Sequence, residues 1–333
     1  MAEQSGRLVR AVRSAAYPAL LVALAIPLVL VAARRAGSPP DTSPAATAAP
    51  ADAKTAADGK TDELSCSTLS HGLPLGALPE ASGLALSRRT PGVLWSLNDS
   101  DTPDVIALNP AGEVLGKVRI TGADVNNWED VSVAPCGDGS CLYVADTGNG
   151  GGTQRNDVVM YRVPEPAPND KATAPAAVFN AAYPENEDHE AEAVFVADGQ
   201  LYLVTKGHPS LMFRFPRQMP PGSLVTLERV GQVPTEQFLK DTIRRQTRIT
   251  DAETSPDGNW VVMRTNTALL LYRTSDVIAG HLNNLWHADL RPLDETQGEG
   301  VAMSDSGDVY LASEGGGKGL PGTFAHIRCA LPK

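Results

Sequence analysis

Residues 192–206 read EAVFVADGQLYLVTK: an acidic residue, an apolar run, a turn with glycine and a second apolar run that ends in a polar residue. The pattern occurs five times along the chain. The other copies are EASGLALSRRTPGVLWSLND (80–99), EDVSVAPCGDGSCLYVAD (129–146), DAETSPDGNWVVMR (251–264) and EGVAMSDSGDVYLASE (299–314). Counted back from the turn glycines Gly258 and Gly199, Asp251 aligns with Glu192. Each copy predicts a hairpin of two strands.

Two further strand-like segments follow each of the first four copies. They are DVIAL and EVLGKVRI, VVMYRV and AAVFNAAY, SLMFRF and SLVTLERV, and ALLLYR and NLWHADL. The fifth copy is followed only by FAHIRCAL (324–331), and STLSHGLPL (67–75), before the first copy, supplies its missing strand. The sequence therefore predicts an all-β propeller of five four-stranded blades closed by an N-terminal strand. Six blades is the alternative if residues 234–247 hide an irregular blade, although a short helix is expected there.

The four cysteines favour disulfides, because an even count is typical of exported domains. Cys136 and Cys141 flank the turn CGDGSC, and a metal knuckle is their alternative role. Cys66, in the donated strand, would lie beside Cys329 in the last strand if the ring closes as predicted.

The N-terminal region predicts a membrane anchor or an export signal. Residues 15–33 are uncharged and mostly apolar, and arginines flank them on both sides. At about 1.5 Å per residue they span roughly 28 Å, close to the hydrocarbon thickness of a bilayer. We expect residues 1–14 to be a short cytoplasmic basic segment, 15–33 an anchor or a cleaved signal peptide, 34–62 an Ala/Pro/Thr-rich disordered tether and 63–333 the propeller. Both interpretations place the propeller outside the cytoplasm, at the cell membrane or secreted.

The charge balance argues against nucleic acid as a partner. The chain has 28 Lys and Arg against 39 Asp and Glu, a formal net charge of −11. Binding to phosphate backbones needs a basic surface. A monomer is expected because a closed propeller needs no partner to cover its edges.

Several strings resemble the phytase-like, gluconolactonase-like and NHL-type group of extracytoplasmic β-propellers. They are LWSLNDS, NNWEDVSV, LYVADTGN, EAEAVFV, LYLVTKG, DAETSPDG and QGEGVAMS, and the resemblance covers roughly residues 66–331. The group includes calcium-dependent phosphatases, lactonases, esterase-like proteins and members that only bind. The resemblance implies that acids on the inner strands hold calcium at one end of the channel. The matching residues here are Glu80, Glu129, Asp130, Glu192, Asp251, Glu253 and Glu299.

The same acids have a physical rationale of their own. Carboxylates that begin every inner strand point at one axis, where they repel each other and need a cation. Calcium suits them because it prefers six to eight oxygen ligands in flexible geometry. The alternative is architectural: each acid accepts hydrogen bonds from backbone N–H groups or pairs with the next blade.

The second strands end in a mixed set of polar residues that would surround the same end of the channel. They are Asn98, Asp99, Asp146, Lys206, Arg264 and Glu314. Lys206 and Arg264 could hold a phosphate, sulfate or carboxylate, or they could neutralise the acids. Asp99, Asp146 or Glu314 could act as general base, and His208 is a further acid or base candidate.

Two functions follow from these patterns. The first is a membrane-tethered propeller with a calcium-binding channel mouth that acts as a metal-assisted hydrolase on a small ester, lactone or phosphoester. The alternative is a non-catalytic module of the cell envelope that binds a ligand or a protein at the same face. The absence of a G-x-S-x-G motif favours the second, and the mixed polar residues favour the first.

Overall fold

The computed structural model describes residues 60–100, 102–149, 156–235, 243–317 and 319–333. In chain order the first eleven strands are β1 (Thr61–Glu63), β2 (Cys66–Leu75), β3 (Ala81–Leu86), β4 (Leu94–Asn98), β5 (Asp104–Leu108), β6 (Val114–Arg119), β7 (Trp128–Cys136), β8 (Gly139–Asp146), β9 (Asp157–Pro164), β10 (Ala177–Ala182) and β11 (Ala191–Ala197). The others are β12 (Gln200–Thr205), β13 (Ser210–Arg214), β14 (Leu224–Thr226), β15 (Glu228–Val233), β16 (Ile249–Thr254), β17 (Trp260–Thr265), β18 (Ala268–Arg273), β19 (Leu285–Asp289), β20 (Gln297–Met303), β21 (Asp308–Glu314) and β22 (Gly322–Cys329).

Helix is scarce in the described residues. One short α-helix, α1, covers Thr274–Ile278, and 3-10 turns cover Pro184–Asn186, Arg244–Thr247 and Arg291–Leu293. The 3-10 turn at Arg244–Thr247 falls where the sequence predicts a short helix. No helix in the described part of the chain is long and apolar enough to span a membrane. The predicted anchor at 15–33 and the tether up to residue 59 lie outside the described residues.

The strands form five antiparallel blades, as the repeat predicts. From the channel outward, blade 1 is β3-β4-β5-β6, blade 2 is β7-β8-β9-β10, blade 3 is β11-β12-β13-β15, blade 4 is β16-β17-β18-β19 and blade 5 is β20-β21-β22-β2. Each inner strand packs beside the next, and β20 packs beside β3, which closes the ring. The fourth strand of blade 5 is the N-terminal β2, as predicted.

Two short parallel strands extend the outer edges of the blades. β1 pairs with β19, so Thr61 and Asp62, assigned to the tether from the sequence, belong to blade 4. The segment SLVTLERV was predicted as one strand, but it divides at the buried Leu227. Its first half, β14, joins β10 in blade 2, and its second half begins β15 in blade 3.

The hydrophobic core lies between the blades. The described residues contain five apolar clusters, and each is shared by two neighbouring blades. Inner strands such as β11 are buried along their whole length, whereas β2 is mostly exposed. Because both faces of an inner strand contact protein, these strands read as apolar runs.

Both predicted disulfides are present. Cys66 and Cys329 are bonded and join β2 to its neighbour β22 at the ring closure. Cys136 and Cys141 are bonded across the β7–β8 hairpin. The metal-knuckle alternative for the second pair is therefore wrong.

Candidate functional site

In each blade the innermost strand begins, and the second strand ends, at the same end of the channel, here called the channel mouth. Trp128 pairs with Asp146, Asp251 with Arg264, and Gln297 with Glu314. These pairings place the starts of the first strands and the ends of the second strands at the same end of blades 2, 4 and 5.

A β-bulge near the start of every inner strand decides which acids point into the mouth. The bulged residues are Gly83, Glu129, Glu192, Thr250 and Glu299. Bulges redirect side chains and are frequent beside active sites. Three equivalent glutamates, from blades 2, 3 and 5, therefore occupy the mouth.

The bulges also correct the alignment made from the sequence. Asp251 lies one residue after its bulge, so it is equivalent to Asp130 and not to Glu192. In blade 1 the bulge is Gly83, and Glu80 precedes the strand altogether. Counting from the turn glycine fails because blade 4 has one residue more between bulge and turn than blade 3.

Lys206, directly after β12, is the cation among the three bulged glutamates. Its Nζ donates to Glu192 Oε1. Burial alone would lower the pKa of Lys206, but Glu192 and Glu299 raise it above its usual value. Burial raises the pKa values of Glu129 and Glu192 well above the ordinary range; Glu299 adds to both shifts, Glu129 adds to that of Glu192, and Lys206 opposes both. The ammonium of Lys206 thus favours the ionised form of each of the three glutamates.

Glu299 has the most unusual environment of the three glutamates. Only 2% of its surface is exposed, and neither carboxyl oxygen makes a hydrogen bond of standard geometry, although the Gln297 side chain interacts with the carboxyl group. Burial raises its pKa to about 8, although Lys206 lowers it. At neutral pH this carboxyl group is therefore mostly protonated.

Two more acids stand around Lys206 with pKa values near neutrality. Burial raises the pKa of Glu314 to about 7, with a contribution from the charge of Asp99. Burial and the adjacent Glu80 raise the pKa of Asp99 to about 6. Glu80 is also held by the hydroxyl of Ser100. The structure thus brings Glu80, Asp99 and Glu314 together with the glutamates.

Asp130 and Asp251 lie deeper in the channel, where they accept hydrogen bonds from backbone N–H groups of other blades. Asp130 Oδ2 accepts from Val194 N of blade 3 at 2.6 Å. Asp251 Oδ2 accepts from Leu84 N of blade 1 at 3.0 Å and from Val301 N of blade 5 at 2.5 Å. The two carboxyl groups also interact with each other, and burial raises both pKa values, that of Asp251 to about 7. These two residues join all five blades, the architectural alternative stated above.

Glu253 lies two residues beyond Asp251 on β16, further from the mouth. Its Oε1 accepts from Val133 N of blade 2 at 3.4 Å, across the channel from its own blade 4. Burial raises its pKa well above the ordinary range, and Ser132 opposes the shift. It therefore lies among the bonds between blades and not among the glutamates of the mouth.

Arg264 and Asp146 lie outside the Lys206 cluster. Arg264 is fully buried, pairs with Glu295 at 2.7 Å and donates to Gly300 O, which fixes blade 4 to blade 5. Asp146 accepts from the backbone N–H groups of Asn126 and Asn127. His208 lies in the turn between β12 and β13, and its role stays a prediction.

A polar pocket of about 430 Å³ opens beside the cluster, between blades 4 and 5. Its lining is Lys206, Gln246, Arg248, Asn266, Thr267, Leu290, Arg291, Asp294, Glu295, Thr296, Gln297 and Glu299. Except for Lys206 and Glu299, none of these residues is a candidate from the sequence. The sequence signal that could have identified Gln246 and Arg248 is their position, because both come shortly before β16, an inner strand that begins at the mouth.

The acids of the mouth do not form a ready-made metal site. In the described ranges, no group of three or more His, Cys, Asp and Glu side chains has an arrangement that could hold a metal ion.

Comparison with known proteins finds similar chains among solved structures. No family model matches the chain, and no curated protein does. The PQQ-bound aldose sugar dehydrogenase of Streptomyces coelicolor is 10% identical, with a TM-score of 0.45 over 80% of this chain and 99% of that one. A gluconolactonase of Xanthomonas campestris is 10% identical, with a TM-score of 0.38 over 79% and 90%. A mitotic checkpoint complex is 15% identical, with a TM-score of 0.32 over 74% and 62%.

Proposed function

We propose that the protein hydrolyses a small polar ester or lactone at the channel mouth. The observation that carries this proposal is Glu299, a buried carboxyl group whose oxygens make no hydrogen bond of standard geometry and that lines the pocket next to Lys206. A buried polar group left unpaired is costly, and such groups are characteristic of functional sites. Phosphoesters are less favoured, because the surrounding carboxylates oppose a dianion.

The residues of the mouth can divide the steps of ester hydrolysis among them. Glu314 or Asp99, with pKa values of about 7 and 6, takes a proton from water as the water oxygen attacks the carbonyl carbon. The ammonium of Lys206 stabilises the negative charge that develops on the carbonyl oxygen. The bond to the leaving oxygen then breaks, and that oxygen takes the proton of Glu299, whose pKa of about 8 keeps it protonated at neutral pH.

Calcium, which the family resemblance implies, would have to be held by Glu129, Glu192 and Glu299. In the described ranges these side chains are not arranged to hold a metal ion, and they share the ammonium of Lys206. Binding would therefore need Lys206 to release Glu192 and the three carboxyl groups to converge. A bound calcium ion would supply a Lewis acid at the pocket.

An extracytoplasmic location belongs to the same proposal. The apolar segment 15–33 supports it. The two disulfides support it as well, because disulfides persist in oxidising compartments.

The test is hydrolysis of a panel of short-chain esters and lactones by the full chain, in EDTA and in calcium. We expect turnover of at least one compound and a loss of about 100-fold or more in kcat for E299Q and for K206M. E228Q is the matched control, because Glu228 lies on the outer strand of blade 3 and is 53% exposed.

Three outcomes separate the alternatives. Hydrolysis that requires calcium would assign the ion to the site. Equal rates of hydrolysis in EDTA and in calcium would contradict a role for the ion. Full activity of E299Q contradicts the assignment of the proton donor. A chain that binds members of the panel without hydrolysing any of them is the non-catalytic binding module.

A further inference from the structure

Every other arginine or lysine of the pocket lining has a carboxylate partner, and Arg248 is the exception. Lys206 pairs with Glu192, and Arg291 pairs with Asp289 at 2.6 Å. Arg264, behind the pocket wall, pairs with Glu295 at 2.7 Å. In the ranges that the structure describes, Arg248 has no ion pair, and its buried Nε has no hydrogen-bond partner.

The backbone holds Arg248 firmly in place. It directly precedes β16, the inner strand of blade 4, and follows the 3-10 turn Arg244–Thr247. The neighbouring Thr250 donates to Gly298 O of blade 5 at 2.9 Å, which fixes the strand start against the next blade. The guanidinium therefore belongs to a rigid wall of the pocket, a favourable basis for recognition.

The Nε–H group of Arg248 has lost contact with water without gaining an acceptor, which is costly, and an anionic ligand group would remove that cost. The planar fork of arginine matches a carboxylate with two parallel hydrogen bonds. The carboxylates of Asp294 and Glu295 line the same pocket and favour a monoanion over a dianion. The remaining lining offers amide side chains from Gln246 and Gln297, which suit hydroxyl groups.

We infer that the ligand of the channel mouth is a small polyhydroxylated carboxylate whose carboxylate binds Arg248. This inference rests on the pocket of the proposed function and names its substrate class. The carboxylate is held away from the reacting ester, since Arg248 recognises the ligand while Lys206 and Glu299 act on it.

The test is calorimetric binding of three sugars that differ at one carbon. Glucose carries a hydroxyl group there, glucuronate a carboxylate and glucose 6-phosphate a phosphate. We expect glucuronate to bind the full chain at least tenfold more tightly than glucose, and more tightly than glucose 6-phosphate. R248M should remove the preference, and R248K should recover part of it. R217M is the control, because Arg217 pairs with Asp198 on the exposed β11–β12 turn.

The outcomes are independent of turnover. Equal binding of glucuronate and glucose, no binding of glucuronate at millimolar concentration, or a preference that survives in R248M would overturn the inference. Tighter binding of glucose 6-phosphate would overturn the carboxylate assignment. If the chain binds glucuronate through Arg248 but hydrolyses no ester, this inference is supported and the proposed hydrolase activity is contradicted. Equal melting temperatures of R248M and the parent confirm that the variant is folded.

Discussion

The acidic residues of the repeat have two different roles, and a shift of one position relative to the β-bulge decides which role a residue has. Glu192 sits on a bulge and faces the mouth, whereas Asp251 sits one position beyond its own bulge and binds backbone amides of other blades. A carboxylate that accepts backbone N–H groups fixes structure, and a carboxyl group without partners is available for chemistry.

The pair of Asp130 and Asp251 should make stability depend on pH. The folded-state pKa of Asp251, about 7, lies above its usual value of 3.8 because of burial. The folded state therefore holds its proton more tightly than the unfolded chain, and the stability from this group is lost as pH rises from about 4 to 7. In D251N the amide oxygen can still accept from Leu84 N and Val301 N, so we expect a fold that loses less stability over this range.

Urea unfolding of the parent, D251N and D251A at pH 5 and pH 8 checks this prediction. D251A leaves two buried N–H groups unpaired, and each costs about 1–3 kcal/mol. We expect D251A to be the least stable at both pH values. Equal stability of D251A and D251N would show that the bonds between blades contribute nothing.

At the scale of elements, the paired hairpins were predictable and their irregularities were not. The five hairpins and the donated β2 follow from apolar runs between turn residues, because the inner strands are buried on both faces. A bulge adds one residue without changing the apolar pattern, so the sequence alone misaligned Asp251. The three-residue strands β1 and β14 are too short to carry a periodic signal. Arg248 was missed because its lack of a partner is a property of packing.

The two disulfides should differ in their contribution to stability. Cys66 and Cys329 are separated by 263 residues, whereas Cys136 and Cys141 are separated by 5. Closing the longer loop removes more entropy from the unfolded chain, a stabilisation of about 6 kcal/mol against about 2 kcal/mol for the short loop. Thermal unfolding of C66S/C329S and of C136S/C141S compares them directly. We expect the larger drop in melting temperature for C66S/C329S, and equal drops would contradict the loop-entropy explanation.

At the scale of the whole molecule, stability depends on closing the ring. An open array of repeats gains stability one neighbour at a time. Here β2 completes blade 5, and β20 of that blade packs beside β3 of blade 1, so both ends of the chain stabilise one blade. By contrast, β1 only extends the outer edge of blade 4.

Two truncations of the chain that starts at Lys60 test this closure. A chain that begins at Leu64 lacks β1 and keeps the buried Leu64, whereas one that begins at Ala77 also lacks β2. The parent and the first truncation carry C66S and C329S, and the second truncation, which lacks residue 66, carries C329S, so that the disulfide is not a variable. We expect the first truncation to unfold cooperatively within a few degrees of its parent, because a three-residue edge strand with two exposed residues contributes little. The second should lose the cooperative transition or become readily proteolysed in blades 5 and 1, since it leaves β22 as an open edge and uncovers Phe324. A chain from Ala77 as stable as the one from Leu64 would mean that the blades hold together without the closing strand.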